Sequence, residues 1–136
     1  MNYILKSSSE TPYVGSPPSS TLIERIDKVV ADSESYEDGE PGPEAGTLGK
    51  LKTLIQEAEA LLAPLGAPKI LTYYGEIDLT WESRQRMLRL IAYPGDKPLQ
   101  LYVWTKDDSP LPKGTMKPAM VASLSEELTL VLNSPE

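Results

Sequence analysis

Apolar and polar residues alternate along residues 69–105, which predicts β-strands. This stretch, KILTYYGEIDLTWESRQRMLRLIAYPGDKPLQLYVWT, contains three runs in which every second residue is apolar. Because successive side chains of a strand point to opposite faces, each run places its apolar residues on one face of a sheet. The core-facing residues are then Ile77, Leu79, Trp81, Leu88, Leu90, Ala92, Leu99, Leu101 and Val103. Turn residues separate the runs, so we predict an antiparallel meander.

Two segments before the strands repeat apolar residues every three or four positions, which predicts amphipathic helices. The first covers residues 22–31, with Thr21 and Glu24 spaced as a capping box. The second covers residues 47–65 and stops before Gly66. Both helices therefore have an apolar stripe to bury against the sheet.

The carboxy-terminal region is less regular. Residues 106–118 predict an irregular connection because Pro, Gly and charged residues dominate there. Ser123 and Glu126 are spaced as a capping box ahead of an apolar stretch, which favours a helix over residues 124–133. The LTLVL stretch within it also fits an edge strand, so both alternatives stay open.

These elements together predict one α+β domain, with helices packed on an antiparallel sheet of three or more strands. A chain of 136 residues is of the usual size for a single domain. Residues 1–20 are rich in Ser and Pro and are predicted to form a flexible N-terminal arm, so the domain should cover residues 21–136.

Composition narrows the classes of function. The net charge of −7 argues against direct binding to nucleic acid, which needs clustered Lys and Arg, and favours a basic protein partner. Cysteine and histidine are absent, which removes the commonest nucleophile, general base and zinc ligands. We therefore expect no enzymatic activity and no cofactor. The missing cysteine, together with the absence of a leader peptide or a long apolar run, predicts a cytoplasmic protein without membrane contact.

The residue spacings in this chain do not match the motifs of the candidate reaction centres and metal sites. A phosphate-binding loop before Lys50 would need glycine where Glu44 stands and Ser or Thr where Leu51 stands. The acids of residues 32–44 lack the spacing of a calcium loop and predict a solvated charge run instead. Carboxylates on the strands do not form a pair that the sequence alone selects for glycoside hydrolysis.

The face of the meander opposite the core is rich in aromatic residues, which predicts that something covers it. Four residues of this face belong to types that are common at binding hot spots or buried beneath them: Tyr102, Trp104, Arg89 and Ile91. A helix would turn them into core, whereas a partner would turn them into an interface. We favour core for Tyr93, which lies at the end of this face, and interface for Tyr102 and Trp104.

The acidic loop offers a second candidate for partner binding. Its acids, Glu34, Glu37, Asp38 and Glu40, are predicted to compete with phosphates if the partner is an enzyme that handles nucleic acid. The sequence does not decide whether this loop or the aromatic face makes the contact.

Two short stretches resemble a diffuse group of small uncharacterised bacterial and phage proteins. They are YEDGEPGP at residues 36–43 and GEIDLTWE at residues 75–82, separated by a long amphipathic helix. The group is identified by a Pro-rich loop with Trp or Tyr, Asp and Gly, a long helix and a Gly-x-Ile-x-Leu-x-Trp strand. The resemblance implies an accessory or partner protein and assigns a role to no residue.

The sequence thus favours a protein-binding module. The expected function is stoichiometric inhibition or neutralisation of a bacterial or phage protein, by an anti-defence (anti-CRISPR-like) protein or an antitoxin-like protein. The alternative is a self-assembling structural or scaffold subunit, in which Tyr102, Trp104 and an exposed sheet edge join identical chains. A monomer or a homodimer is compatible with these expectations.

Overall fold

The fold has two layers, with helices on one side of an antiparallel sheet. The computed structural model describes residues 18–32, 36, 39–62, 65–105 and 113–133, with side-chain burial given from residue 22 onward in the first range. The elements are α1 (Pro18–Ala31), α2 (Ala45–Leu61), β1 (Lys69–Tyr73), β2 (Glu76–Glu82), β3 (Arg86–Ala92), β4 (Gln100–Thr105), β5 (Lys113–Pro118) and α3 (Val121–Leu132).

The sheet is a meander in which each strand pairs with the next along the chain. Its five strands lie in the order β1-β2-β3-β4-β5, and all neighbours are antiparallel. The register places Leu79 opposite Leu90, which in turn lies opposite Leu101. Rows of apolar residues therefore cross the sheet on one face, and the predicted α+β class is confirmed.

The core lies between this face and the three helices of the described chain. Every predicted core residue of β2 and β3 is buried, as is Leu101, while Val103 is half-buried at the edge of the core. The helices contribute the other half of the core with Leu22, Ile26, Leu51, Leu54, Ile55, Ala58, Leu124, Leu128 and Val131. A single hydrophobic cluster thus joins all three helices to the sheet.

The main departure from the sequence prediction is β5. Residues 113–118 form a strand, although residues 106–118 were predicted to be irregular. The strand is defined by pairing with β4 along its full length and by an ion pair between Lys117 and Glu127 of α3, whose Nζ and Oε2 lie 2.7 Å apart. This hydrogen bond raises the pKa of Lys117. Tertiary contacts therefore override the weak strand propensity of a segment with Gly and Pro.

Helix ends also differ from the predictions. The N-terminal arm was predicted over residues 1–20, of which residues 1–17 lie outside the described residues and residues 18–20 begin α1. The side chain of Thr21 is not described, so the predicted capping box at this helix also lies outside the described residues. The second helix ends at Leu61, so the buried Leu65 reaches the core from the connection to β1. At α3 the edge-strand alternative is wrong.

The start of α3 differs in detail from the predicted capping box. Ser123 is the third helical residue, and its Oγ accepts a hydrogen bond of 2.9 Å from the backbone N–H of Met120, the N-cap residue. The same hydroxyl donates to the Pro118 carbonyl oxygen at 3.0 Å. Ser123 thereby joins the end of β5 to the start of α3.

None of the helices in the described ranges has the length and apolar character needed to cross a membrane.

Candidate protein-binding face

No described helix packs on the face of the sheet opposite the core. We call it the outer face. Its residues follow from the strand register and include Lys69, Leu71, Tyr73, Glu76, Asp78, Thr80, Glu82, Met87, Arg89, Ile91, Gln100, Tyr102, Trp104, Gly114 and Met116. Since all the buried apolar residues of the helices join the cluster on the other side, the helix cover considered from the sequence is not found among these elements.

Tyr102 and Trp104 lie on β4, next to the edge strand β5. Tyr102 is opposite Met116, and Trp104 is opposite Gly114 on β5 and Met87 on β3. The Tyr102 ring leans across Gly114, because a Cβ at that glycine would meet the Tyr102 hydroxyl oxygen at 2.1 Å. Glycine thus makes room for the ring on an edge strand, and the ring in turn covers the exposed backbone.

Replacing Gly114 with Ala is expected to displace the Tyr102 ring from β5. The added methyl group occupies the position of the ring, and the ring can rotate toward solvent, so the loss of unfolding free energy should be only about 1 kcal/mol. Intrinsic tyrosine fluorescence and NMR shifts of the Tyr102 ring measure the displacement. The matched control is Gly46→Ala on α2, where a Cβ meets nothing within 4 Å. An unchanged Tyr102 environment in Gly114→Ala would contradict the packing of the Tyr102 ring on Gly114.

The other predicted contact residues form the floor of the outer face. Ile91 is only 8% exposed, so it supports its neighbours and offers little surface to a partner. Arg89 is half-buried, and its Nε donates to the Thr80 Oγ1 at 3.3 Å. Thr80 is itself buried. This contact fixes the arginine stem across β2 and β3.

An acidic pair beside Arg89 is the most perturbed electrostatic feature of this face. Burial raises the pKa of Asp78 to about 7, with further contributions from a side-chain hydrogen bond to Glu76 and from its negative charge, while Arg89 acts in the opposite direction. Asp78 Oδ1 is buried without a hydrogen-bond partner. Two carboxyl groups can share a hydrogen bond only when one holds a proton, which agrees with the raised pKa.

Tyr93 borders the acidic pair. Burial raises the pKa of Tyr93, and the negative charges of Glu76 and Asp78 raise it further. The ring is half-buried, and Lys97 Nζ lies 5.7 Å from its centroid. The expectation that Tyr93 is core therefore holds only in part, because the residue lies at the rim of the outer face.

The acidic loop is described in part. Glu34, Glu37 and Asp38, three of the predicted contact residues, lie outside the described residues. Glu40 accepts a hydrogen bond of 2.9 Å from the backbone N–H of Tyr74, in the turn between β1 and β2. This contact places one end of the loop beside β1, at a corner of the sheet.

Sequence reasoning missed the most exposed apolar residues of the outer face. Leu71 and Tyr73 on β1 are 58% and 68% exposed, and Met116 on β5 is 47% exposed. The alternation KILTY contained the signal for Leu71 and Tyr73, since the alternate residues Ile70 and Thr72 pair with the core residues Leu79 and Ile77. Predicting the exposure of Met116 would have required knowing that residues 113–118 form β5.

The residues considered for a phosphate loop lie at the start of α2, where Lys50 borders a groove. Lys50 Nζ donates to the Lys97 carbonyl oxygen at 2.9 Å, beside a groove of about 530 Å³ between α2 and the chain entering β4. The groove lining includes Gly49, Leu54 and Leu99 and is largely apolar. Within the described ranges, no three acids come together in a way that would hold a metal ion.

The fold and this surface define a two-layer α+β protein with three helices on one sheet face and an aromatic, charged surface on the other. No protein-family model, curated protein or solved structure matches the chain.

Proposed function

We propose that this protein is a non-enzymatic protein-binding module. It acts as a stoichiometric inhibitor or neutralising partner of a bacterial or phage protein, in the manner of an anti-defence protein or an antitoxin. The observation that carries the proposal is the outer face, which no described helix covers. Tyr102 and Trp104 lie there beside exposed Met116 on β5, and exposed Leu71 and Tyr73 lie at the far side of the same face on β1.

The composition of the outer face supports binding to another protein. Large aromatic side chains bury much area at a small cost in conformational entropy, and Arg is a frequent companion at hot spots. Tyr102 packs on Gly114 and the Arg89 stem is held by Thr80. Side chains that are already positioned lose less entropy when a partner binds.

The charge of the chain supports a basic partner. The net charge is −7, and Glu40 anchors the acidic loop beside the same sheet. Complementary charge accelerates association and selects partners. The class of partner proposed is therefore a protein with a basic surface, such as an enzyme that handles nucleic acid.

Capture with the purified full chain tests the proposal. The bait retrieves proteins from bacterial and phage-infected lysates, and each captured protein is purified and titrated with wild type and with the Tyr102→Ala/Trp104→Ala variant. We expect a one-to-one complex that blocks the activity of the captured protein, and a dissociation constant at least about 10-fold higher for the variant. The matched control is Met120→Ala, an exposed apolar residue beyond the end of β5.

A second arm of the same titration tests the acidic loop. Replacing Glu34, Glu37, Asp38 and Glu40 with Lys should raise the dissociation constant and weaken its salt dependence if the loop contacts a basic groove. An unchanged complex would remove the loop from the interface. A captured protein that binds the Tyr102→Ala/Trp104→Ala variant as tightly as wild type would overturn the outer face as the contact surface. Binding without inhibition would overturn the proposed function.

A further inference from the structure

The two edges of the sheet differ in how well they are protected. β1 is the outermost strand on one side, and among the described residues nothing pairs with its free edge. Its sequence, KILTY, contains neither Pro nor Gly, and its one charged residue is Lys69 at the end. Unprotected edges of this kind pair readily with another strand.

The opposite edge carries features that discourage pairing. In β5, Lys117 turns toward the helices and binds Glu127, and the strand ends at Pro118, which has no N–H to donate. Inward-pointing charge and proline are devices that natural sheets use against pairing at an edge. Of the two edges in the described sheet, β1 is therefore the better suited to accept a further strand.

We propose that β1 pairs with β1 of a second copy of this chain, antiparallel and centred on Leu71. The result is a symmetric dimer with a continuous sheet of ten strands, two copies of five. This inference rests on the free edge and is independent of the proposed function.

The register follows from the charges and side chains of β1. Centring on Leu71 pairs all five residues of the strand and places Lys69 opposite Tyr73 of the second copy. A pairing centred on Lys69 would place the Lys69 ammonium groups of the two copies opposite each other. Lys69 would then be the one residue of β1 that pairs with β1 of the second copy. The Leu71 register therefore combines the longest ladder with the absence of like-charge contact.

The ends of the paired strands are also complementary in charge. Tyr73 lies opposite Glu76 on β2, so the Tyr73 end of β1 is acidic, whereas Lys69 makes the other end basic. Neighbouring strands are about 4.8 Å apart, and a Lys side chain reaches across that distance. Lys69 of one copy then contacts the Tyr73 ring and approaches the Glu76 carboxylate of the other, once at each end of the interface.

The geometry of the dimer has a consequence for the outer face. An antiparallel pair in one continuous sheet is related by a twofold axis perpendicular to the sheet. Both outer faces therefore lie on the same side, with the two Leu71 side chains at the centre and a Tyr73 side chain at each end of the paired strands. Leu71 then packs against Leu71 of the second copy and Tyr73 against Lys69 of the second copy, which accounts for the exposure of Leu71 and Tyr73 in the single chain.

Disulfide cross-linking of the full chain tests the register. The chain contains no cysteine, so Leu71→Cys introduces a single thiol that lies opposite itself in the dimer. Directly opposite residues of antiparallel strands are close enough for a disulfide. We expect Leu71→Cys to form a covalent dimer on mild oxidation. The matched control is Met116→Cys, a similarly exposed apolar position on β5, which should stay monomeric on a denaturing gel.

A charge-swap experiment by light scattering tests the same contact without a covalent bond. Leu71→Lys and Leu71→Glu should each weaken self-association at least about 10-fold, and an equimolar mixture of the two should recover a dimer. Both substitutions are at an exposed site, so folding should be kept. A wild-type chain that is monomeric at all concentrations, a dimer insensitive to both substitutions, or preferential cross-linking through Met116→Cys would each overturn the proposal.

Discussion

Replacing Trp81 with Ala is expected to lower the free energy of unfolding by about 4 kcal/mol, the range found when large aromatic residues are removed from a core. Trp81 lies on β2, is 3% exposed and belongs to the core cluster. Its Nε1 donates to the Leu65 carbonyl oxygen at 2.6 Å, which fixes the connection between α2 and β1. Denaturant unfolding followed by circular dichroism measures the change.

The Trp81→Phe variant separates packing from this hydrogen bond. It keeps an aromatic ring in the core and leaves the buried Leu65 carbonyl oxygen without its donor, so the expected loss is about 1 to 2 kcal/mol. The matched control is Trp104→Phe, because Trp104 is half-buried and lies on the outer face. The free energy of unfolding of this control should change by no more than about 0.5 kcal/mol. A Trp81→Ala variant as stable as wild type would contradict the burial of Trp81 in the core.

The sequence predicted the sheet well where period-two alternation coincides with burial on one face. In β2 and β3 the residues facing the helices are apolar apart from Arg86 at the start of β3, and the predicted core residues of both strands are buried. In β5 the apolar signal is a single Met116, which points to the outer face. That strand exists because β4 offers an edge and because Lys117 meets Glu127, and neither contact can be derived from local sequence.

The candidate face was predictable in its residues but not in its surroundings. Alternation alone placed Tyr102, Trp104 and Arg89 opposite the core, as the register has them. Which face the helices cover is decided by how three amphipathic stripes pack together, and this is a property of the whole fold. The raised pKa of Asp78 was likewise beyond the sequence, since it depends on burial and on contact with Glu76.

Replacing Asp78 with Asn is expected to stabilise the protein above pH 7. Folding raises the pKa of Asp78 from 3.8 to about 7, so the folded state holds a proton that the unfolded state releases between these values. Stability supplied by the protonated carboxyl is complete below pH 3.8 and is lost as the pH rises toward 7. The gain for Asp78→Asn at pH 8 should be about 2 kcal/mol, roughly half of what such a shift gives in a fully buried group, because Asp78 is partly exposed.

Unfolding measured from pH 4 to pH 8 distinguishes this cause from a general effect of removing negative charge. Asp78→Asn should match wild type near pH 4, where Asp78 is protonated, and exceed it progressively toward pH 8. The control Glu82→Gln removes a charge from an exposed position on the same strand and face and should run parallel to wild type. Glu76→Gln removes the neighbouring charge, so it should lower the pKa of Asp78 and flatten the wild-type slope. The slope of the unfolding free energy against pH counts the protons that folding takes up. Identical slopes in wild type and Asp78→Asn would therefore show that Asp78 is not the group that takes up the proton.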